Sequence, residues 1–132
     1  MGRERNLRSE RGQTMVEFAL VLPIVVLLLF AVVEMGIVFN HYVTLTDAAR
    51  AGARKAIVVR LGGATQADAR QAALDAASGL DPLKLGLTIL APSWTTPGSE
   101  VTVTATYPCQ VDLLIFPVKC GTLTSVMKER LE

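Results

Sequence analysis

The sequence is poor in the residue types that enzymes use for catalysis. Its 132 residues include one histidine and two cysteines, and only 5% are aromatic. It contains no nucleophile motif, no glycine-rich phosphate loop, and too few cysteine and histidine ligands at suitable spacing for a metal site. A formal net charge of +1 provides no basic field for nucleic acid. We therefore expect no enzyme, no cofactor, no metal, no nucleic-acid partner and no small-molecule substrate.

Charge is also missing from one long segment near the N-terminus. No charged residue lies between Phe18 and Val33, and only Glu34 interrupts the apolar run that ends at Phe39. As a helix this run reaches roughly 33 Å, which is enough to cross a hydrocarbon core of about 30 Å. We predict a transmembrane helix over residues 13–39.

A signal peptide and a soluble surface helix both fit this segment less well. A cleaved signal peptide is usually shorter, and the run ends in Glu34–Phe39 rather than in a small-residue cleavage box. A surface helix of a small soluble domain needs a polar side, which this segment lacks. Membrane insertion is therefore the preferred interpretation.

Flanking charge predicts the orientation of the helix. The nearest cations after the apolar run begin at Arg50, whereas four arginines precede it: Arg3, Arg5, Arg8 and Arg11. Positive charge accumulates on the cytoplasmic side of membrane proteins. We expect a single-pass protein of the bacterial cytoplasmic membrane, with its N-terminus in the cytoplasm and residues 40–132 in an extracytoplasmic domain.

The two cysteines agree with this orientation. Cys109 and Cys120 enclose ten residues, a spacing that is typical of a disulfide formed in an oxidising compartment. Two unlinked buried thiols are the alternative.

The extracytoplasmic domain is predicted to be small and of the α+β class. The long helix continues into it, and Ala48, Gly52 and Ala56 lie four residues apart on one face that another helix or a sheet could approach closely. The helix propensity of alanine alone is the simpler reason for this pattern. Gly62-Gly63 is predicted to end the helix, with Arg60 in its last turn.

After the long helix, the sequence predicts a second helix and about three antiparallel strands. Thr65 and Asp68 form a short capping box before an alanine stripe that ends at Gly79. Residues 111–117 are too short to span a bilayer, so we expect a loop or short helix there, on the sheet or near the membrane surface. Alternation and threonine content predict three strands, at Leu83–Leu90, Val101–Tyr107 and Thr122–Lys128. A final helix is the alternative for Thr122–Lys128.

The stretch "RGQTMVEF" adds a more specific signal. A basic leader that ends in Gly12, followed by Gln13 and by Glu17 before a long apolar helix, resembles the processing site of type IV prepilins. The longer pattern "GQTMVEFALVLPIVVLLLFAVVEMG", followed by "TLTDAARAGARKAIV", resembles the TadE-like family of pseudopilins from tight-adherence (Flp type IVb) pilus systems. The resemblance runs from Gly12 to about Val58 and weakens over residues 60–132.

This resemblance implies a role in pilus assembly. Residues 1–12 would be a leader that a prepilin peptidase removes between Gly12 and Gln13, and the partners would be membrane lipid, other pilins or pseudopilins, and the pilus assembly platform. The implied function is a minor pilin-like component, either in the filament or in the assembly machine. A single-pass membrane-anchored interaction module outside any filament is the alternative. The resemblance assigns five matching residues of the helix to helix assembly: Glu17, Phe18, Pro23, Glu34 and Gly36.

Two of these residues also have physical roles that the sequence predicts. Cleavage would create an α-amino group at Gln13, one helical turn from Glu17, which could offset the charge of this carboxylate. A plain interfacial anchor is the alternative role of Glu17. Pro23 is expected to kink the helix because it frees the carbonyl near Ala19.

Overall fold

The protein is α+β, with one very long helix, one short helix and a three-stranded sheet. The computed structural model describes residues 3–59, 65–91, 98–113 and 116–130. In chain order the elements are α1 (Arg3–Val59), α2 (Gln66–Ala76), β1 (Gly86–Leu90), β2 (Glu100–Leu113) and β3 (Phe116–Arg130). The predicted fold class, with a second helix and three antiparallel strands, is confirmed.

Helix α1 is a single continuous element of 57 residues that includes Pro23. At about 1.5 Å per residue it is roughly 85 Å long. Residues 12–40 are mostly exposed, whereas one face of the last five turns contributes to the core of the domain. We call this domain, from residue 41 onwards, the head. The predicted stop at Gly62-Gly63 and the placement of Arg60 lie outside the described residues.

Helix α2 begins with the predicted capping box. The Thr65 hydroxyl accepts a hydrogen bond from the backbone N–H of Asp68, and the Asp68 carboxylate accepts one from the backbone N–H of Thr65. The helix ends at Ala76, and the N–H of Ala77 caps it with bonds of 3.1 Å to the carbonyls of Ala73 and Leu74. It is therefore slightly shorter than the alanine stripe, which continues towards Gly79.

The sheet is antiparallel with the order β1-β2-β3. β1 pairs only with residues 102–106 of β2, whereas β3 pairs with β2 from Glu100 to Leu113. Beyond Thr106, β2 therefore has β3 as its partner on one side and no partner on the other among the described residues. We call this two-stranded projection, residues 107–113 and 116–123, the β-ribbon.

The β-ribbon corrects one prediction. Residues 111–117 were expected to form a loop or a short helix, but 111–113 and 116–117 are strand, with Val111 opposite Val118 and Leu113 opposite Phe116. Pairing between β2 and β3 satisfies backbone groups that a loop would leave unpaired, and apolar and β-branched residues favour a strand. The preferred strand at Thr122–Lys128 is confirmed, and the alternative of a final helix there is wrong.

The core of the head lies between the two helices and one face of the sheet. In β2 every second residue from Val101 to Cys109 is buried, as the two-residue period of a strand requires. In α1 the buried positions recur every three or four residues, as one face of a helix requires: Leu45, Ala48, Ala49, Gly52, Ala53 and Ala56. Most of these side chains are small, so the helices and the sheet approach each other closely.

Candidate functional site: a membrane helix that continues into the head

The N-terminal part of α1 has the character of a membrane anchor. Among the described residues it is the one helix that is long and apolar enough to cross a membrane, and none of its most apolar window is buried in the protein. Large apolar side chains are exposed all around it, including Leu20 (68%) and Val32 (71%). Such a surface has no polar side for water, which suggests insertion in lipid.

The predicted cleavage bond lies inside this helix. Gly12 and Gln13 are both helical, and a Cβ atom at Gly12 would meet no atom within 4 Å. A peptidase that binds its substrate as an extended backbone would therefore have to unwind this turn. The open space means that a side chain at position 12 would not disturb the fold.

Glu17 has a partner that the sequence did not predict. The side-chain amide of Gln13 donates a hydrogen bond of 3.0 Å to its carboxylate, across one turn of the helix. The expectation was a pairing with the α-amino group of a cleaved Gln13, but the same residue already contacts Glu17 before any cleavage. An i, i+4 spacing and an exposed face are sufficient for this bond.

The other residues assigned to helix assembly are distributed along α1. Phe18 is exposed, and the helix continues through Pro23. Gly36 is exposed with open space around it, whereas Glu34 is partly covered. These residues do not form a single cluster within one chain, so contacts between chains would have to bring them together.

The small-residue face lies at the centre of the head. Ala48 and Ala56 are fully buried. A Cβ atom at Gly52 would lie 3.1 Å from the Cβ of Ala73 on α2 and 3.5 Å from Cγ1 of Val103 on β2. The small-residue face of α1, which was predicted to pack against a helix or a sheet, therefore packs against both α2 and β2.

A polar junction joins the head to the membrane end of α1. The rings of His41 and Tyr107 pack edge to face with their centroids 5.5 Å apart, and the Tyr107 hydroxyl accepts a bond of 3.3 Å from the N–H of Asp81. A cleft here is lined by both rings together with Lys84, Pro108 and Gln110. Alternation alone predicts that Tyr107 faces inwards, but no sequence signal links it to a residue 66 positions earlier.

The predicted disulfide is present between Cys109 and Cys120, with Cα atoms 5.1 Å apart. It lies at the irregularity in the register between Cys109 and Gln110, where Cys120 is the extra residue of β3. Because both strands continue beyond it, the disulfide crosslinks the β-ribbon within its length rather than closing a loop.

One carboxylate of the head has a shifted pKa. The backbone and hydroxyl hydrogen bonds from Thr65 lower the pKa of Asp68 below its ordinary value of 3.8, and the positive charge of Lys55 on α1 acts in the same direction. These bonds stabilise the ionised carboxylate at the start of α2. In the part of the chain that the structure describes, no group of three or more His, Cys, Asp or Glu residues could hold a metal ion.

The fold and the apolar helix define a class of protein, in which a membrane-anchor helix extends directly into a small α+β head. Residues 12–54, about a third of the chain, match the family model described as TadE-like protein. The resemblance predicted from the sequence is therefore confirmed for this segment, which is similar to a family associated with Tad/Flp pilus systems. Searches of curated proteins and of solved structures found no match.

Proposed function

We propose that this protein is a pseudopilin, a minor pilin-like component of type IVb (Flp) pilus assembly. The observation that carries the proposal is the TadE-like match over residues 12–54, which coincides with the exposed apolar part of α1 and its entry into the head. The exposed apolar helix supplies a surface for lipid and for the helices of other pilins. The partners that we propose are a prepilin peptidase, other pilins or pseudopilins, and the assembly platform.

The proposed topology places residues 1–12 in the cytoplasm as a leader and the head outside the cytoplasmic membrane. The disulfide supports this location for the head, because such bonds persist in oxidising compartments. Assembly through packing, rather than catalysis, is the proposed activity.

Processing between Gly12 and Gln13 leaves Glu17 as the fifth residue of the mature chain. The bond from the Gln13 amide to Glu17 partly compensates the carboxylate before cleavage. A new α-amino group at Gln13 then adds a positive charge one turn away, in the same chain or in a neighbour. A charge in lipid without a partner costs about 3 kcal/mol on insertion scales, so this compensation favours packed helices.

The test is co-expression of the full chain with a prepilin peptidase, followed by mass measurement of the membrane-extracted protein. We expect the wild type to lose the mass of residues 1–12 and the Gly12→Val variant to keep it. Gly36→Val is the matched control, because Gly36 lies in the same helix and also has open space around it. This control should be processed normally.

An intact wild-type chain, or unchanged cleavage of Gly12→Val, would contradict the prepilin assignment. The second candidate function would then be favoured, which is a single-pass anchor whose head binds a partner outside any filament. The specific observation behind this alternative is that the family match ends at residue 54, before α2 and the sheet. Co-purification of the tagged chain with pilus components distinguishes the two.

A further inference from the structure

The β-ribbon is a feature for which the proposed function gives no role. It projects beyond the end of β1, and in the register near its end Val111 lies opposite Val118, Asp112 opposite Pro117 and Leu113 opposite Phe116. The side chains of Pro117 and Val118 are exposed. Exposed apolar residues near the end of a projecting hairpin indicate contact with an apolar partner.

Two contacts show how β2 runs along α1. A Cβ atom at Gly52 would lie 3.5 Å from Cγ1 of Val103, and the ring of Tyr107 packs on the ring of His41. Moving from Val103 to Tyr107 covers about 13 Å of strand, and moving from Gly52 back to His41 covers about 16 Å of helix. β2 therefore runs antiparallel to α1, from the centre of the head towards the apolar run.

The β-ribbon is long enough to reach the level of the membrane. Phe39, where the apolar run ends, is only two residues before His41, or about 3 Å along the helix. Leu113 is six residues beyond Tyr107, or about 20 Å along an extended strand. A strand that keeps the direction of Val103–Tyr107 over this length passes the level of Phe39.

The exposure pattern of α1 agrees with this course. Glu34 and Val38 are partly covered and continue the face that buries Leu45, whereas Met35 and Phe39 on other faces are exposed. Glu34 and Val38 thus lie on the same face of α1 as Leu45.

Backbone chemistry limits how deep the β-ribbon can lie. The outer edge of β3 has no strand partner in the described part of the chain, and unpaired N–H and C=O groups are strongly disfavoured in hydrocarbon. An interfacial position leaves the backbone edges in contact with water and headgroups while apolar residues such as Val118 reach the acyl boundary.

We propose that the end of the β-ribbon is a second membrane contact, inserted into the interfacial layer of the same bilayer that α1 crosses. Lys119 is exposed and lies opposite Gln110, just before the end of the β-ribbon. At the membrane surface its positive charge would contact lipid headgroups. The proposal requires α1 to be inserted in the membrane. It requires neither processing at Gly12 nor assembly into a pilus.

The test uses tryptophan fluorescence of the full chain, reconstituted in phosphatidylcholine vesicles whose acyl chains carry bromine either near the headgroup or near the methyl end. The single tryptophan, Trp94, is replaced by phenylalanine, and Val118→Trp introduces a probe on the β-ribbon. Val126→Trp is the matched control, because it lies on the same strand and is exposed to the same extent, 48% against 47%. Phe30→Trp reports on the insertion of α1.

We expect bromine near the headgroup to quench Val118→Trp about twofold more strongly than Val126→Trp, as an insertion depth of roughly 5–10 Å requires. Phe30→Trp should be quenched most by bromine near the methyl end. Equal quenching of Val118→Trp and Val126→Trp, with Phe30→Trp quenched, would overturn the proposal. An unquenched Phe30→Trp would overturn it as well, because α1 would then not be inserted. Neither result depends on the cleavage assay at Gly12.

Discussion

At the scale of single residues, Gly52 shows how the sequence limits the distance between elements. It lies where α1, α2 and β2 meet, and a Cβ atom there would lie 3.1 Å from the Cβ of Ala73, closer than ordinary van der Waals contact. Glycine lowers helix propensity by about 1 kcal/mol relative to alanine. The close approach of three elements is the structural reason for accepting this cost.

The prediction for Gly52 is a graded loss of stability. We expect Gly52→Ala to be roughly neutral, because its gain in helix propensity of about 1 kcal/mol offsets the tight contact with Ala73. Gly52→Leu should lower the free energy of unfolding by about 1–3 kcal/mol, because the neighbouring backbones must separate. Thermal unfolding in detergent, followed by circular dichroism, measures both. Exposed Ala67→Leu on α2 is the control, and a Gly52→Leu protein as stable as this control would contradict the prediction.

At the scale of elements, local sequence signals were sufficient where the interactions are local. The capping box at Thr65 needs only two residues three positions apart, and the strand at Val101–Tyr107 follows from strict alternation. The strand character of residues 111–117 was missed because it depends on pairing with a distant partner strand. The contact between His41 and Tyr107 was missed for the same reason, since only the folded chain brings α1 and β2 together.

The capping of α2 predicts a pH dependence. Because the pKa of Asp68 is lowered in the folded protein, its stabilising effect is fully present above pH 3.8 and is lost as the pH falls through the folded-state pKa. We expect acidification from about pH 5 to about pH 3 to lower the melting temperature of the wild type more than that of Asp68→Asn. Asp75→Asn removes the same charge in the last turn of α2 and should keep the wild-type response. If Asp68→Asn also keeps the wild-type loss of melting temperature on acidification, the Asp68 cap is not the source of the pH dependence.

At the scale of the whole molecule, composition and hydropathy predicted the division into an apolar helix and an α+β head, which the structure shows. The functional residues were harder to predict. Motif resemblance predicts roles for Gly12 and Glu17, but the bond from Gln13 to Glu17 and the course of the β-ribbon depend on three-dimensional placement. The family match provides no guide to the head beyond residue 54.

The continuity of α1 has a consequence for the angular position of the head. The same helix carries the apolar run and one side of the core of the head. The number of residues between Gly36 and Leu45 therefore fixes the angle, around the helix axis, between the apolar run and the head. Inserting one alanine after Phe39 turns the head by about 100° around the helix axis, whereas inserting four turns it by a net of about 40°. If the proposed pilus role is correct, co-purification with pilus components should fall more for the one-residue insertion, while cleavage at Gly12 stays unchanged in both.

Equal co-purification of the two insertion variants would show that the head is free to adjust its direction. The opposite outcome, a dependence on helical phase rather than on length, would mean that the apolar run and the head move as one rigid body. Any rotation or tilt that neighbouring helices impose within the bilayer is then transmitted undiminished to the surface that the head presents outside.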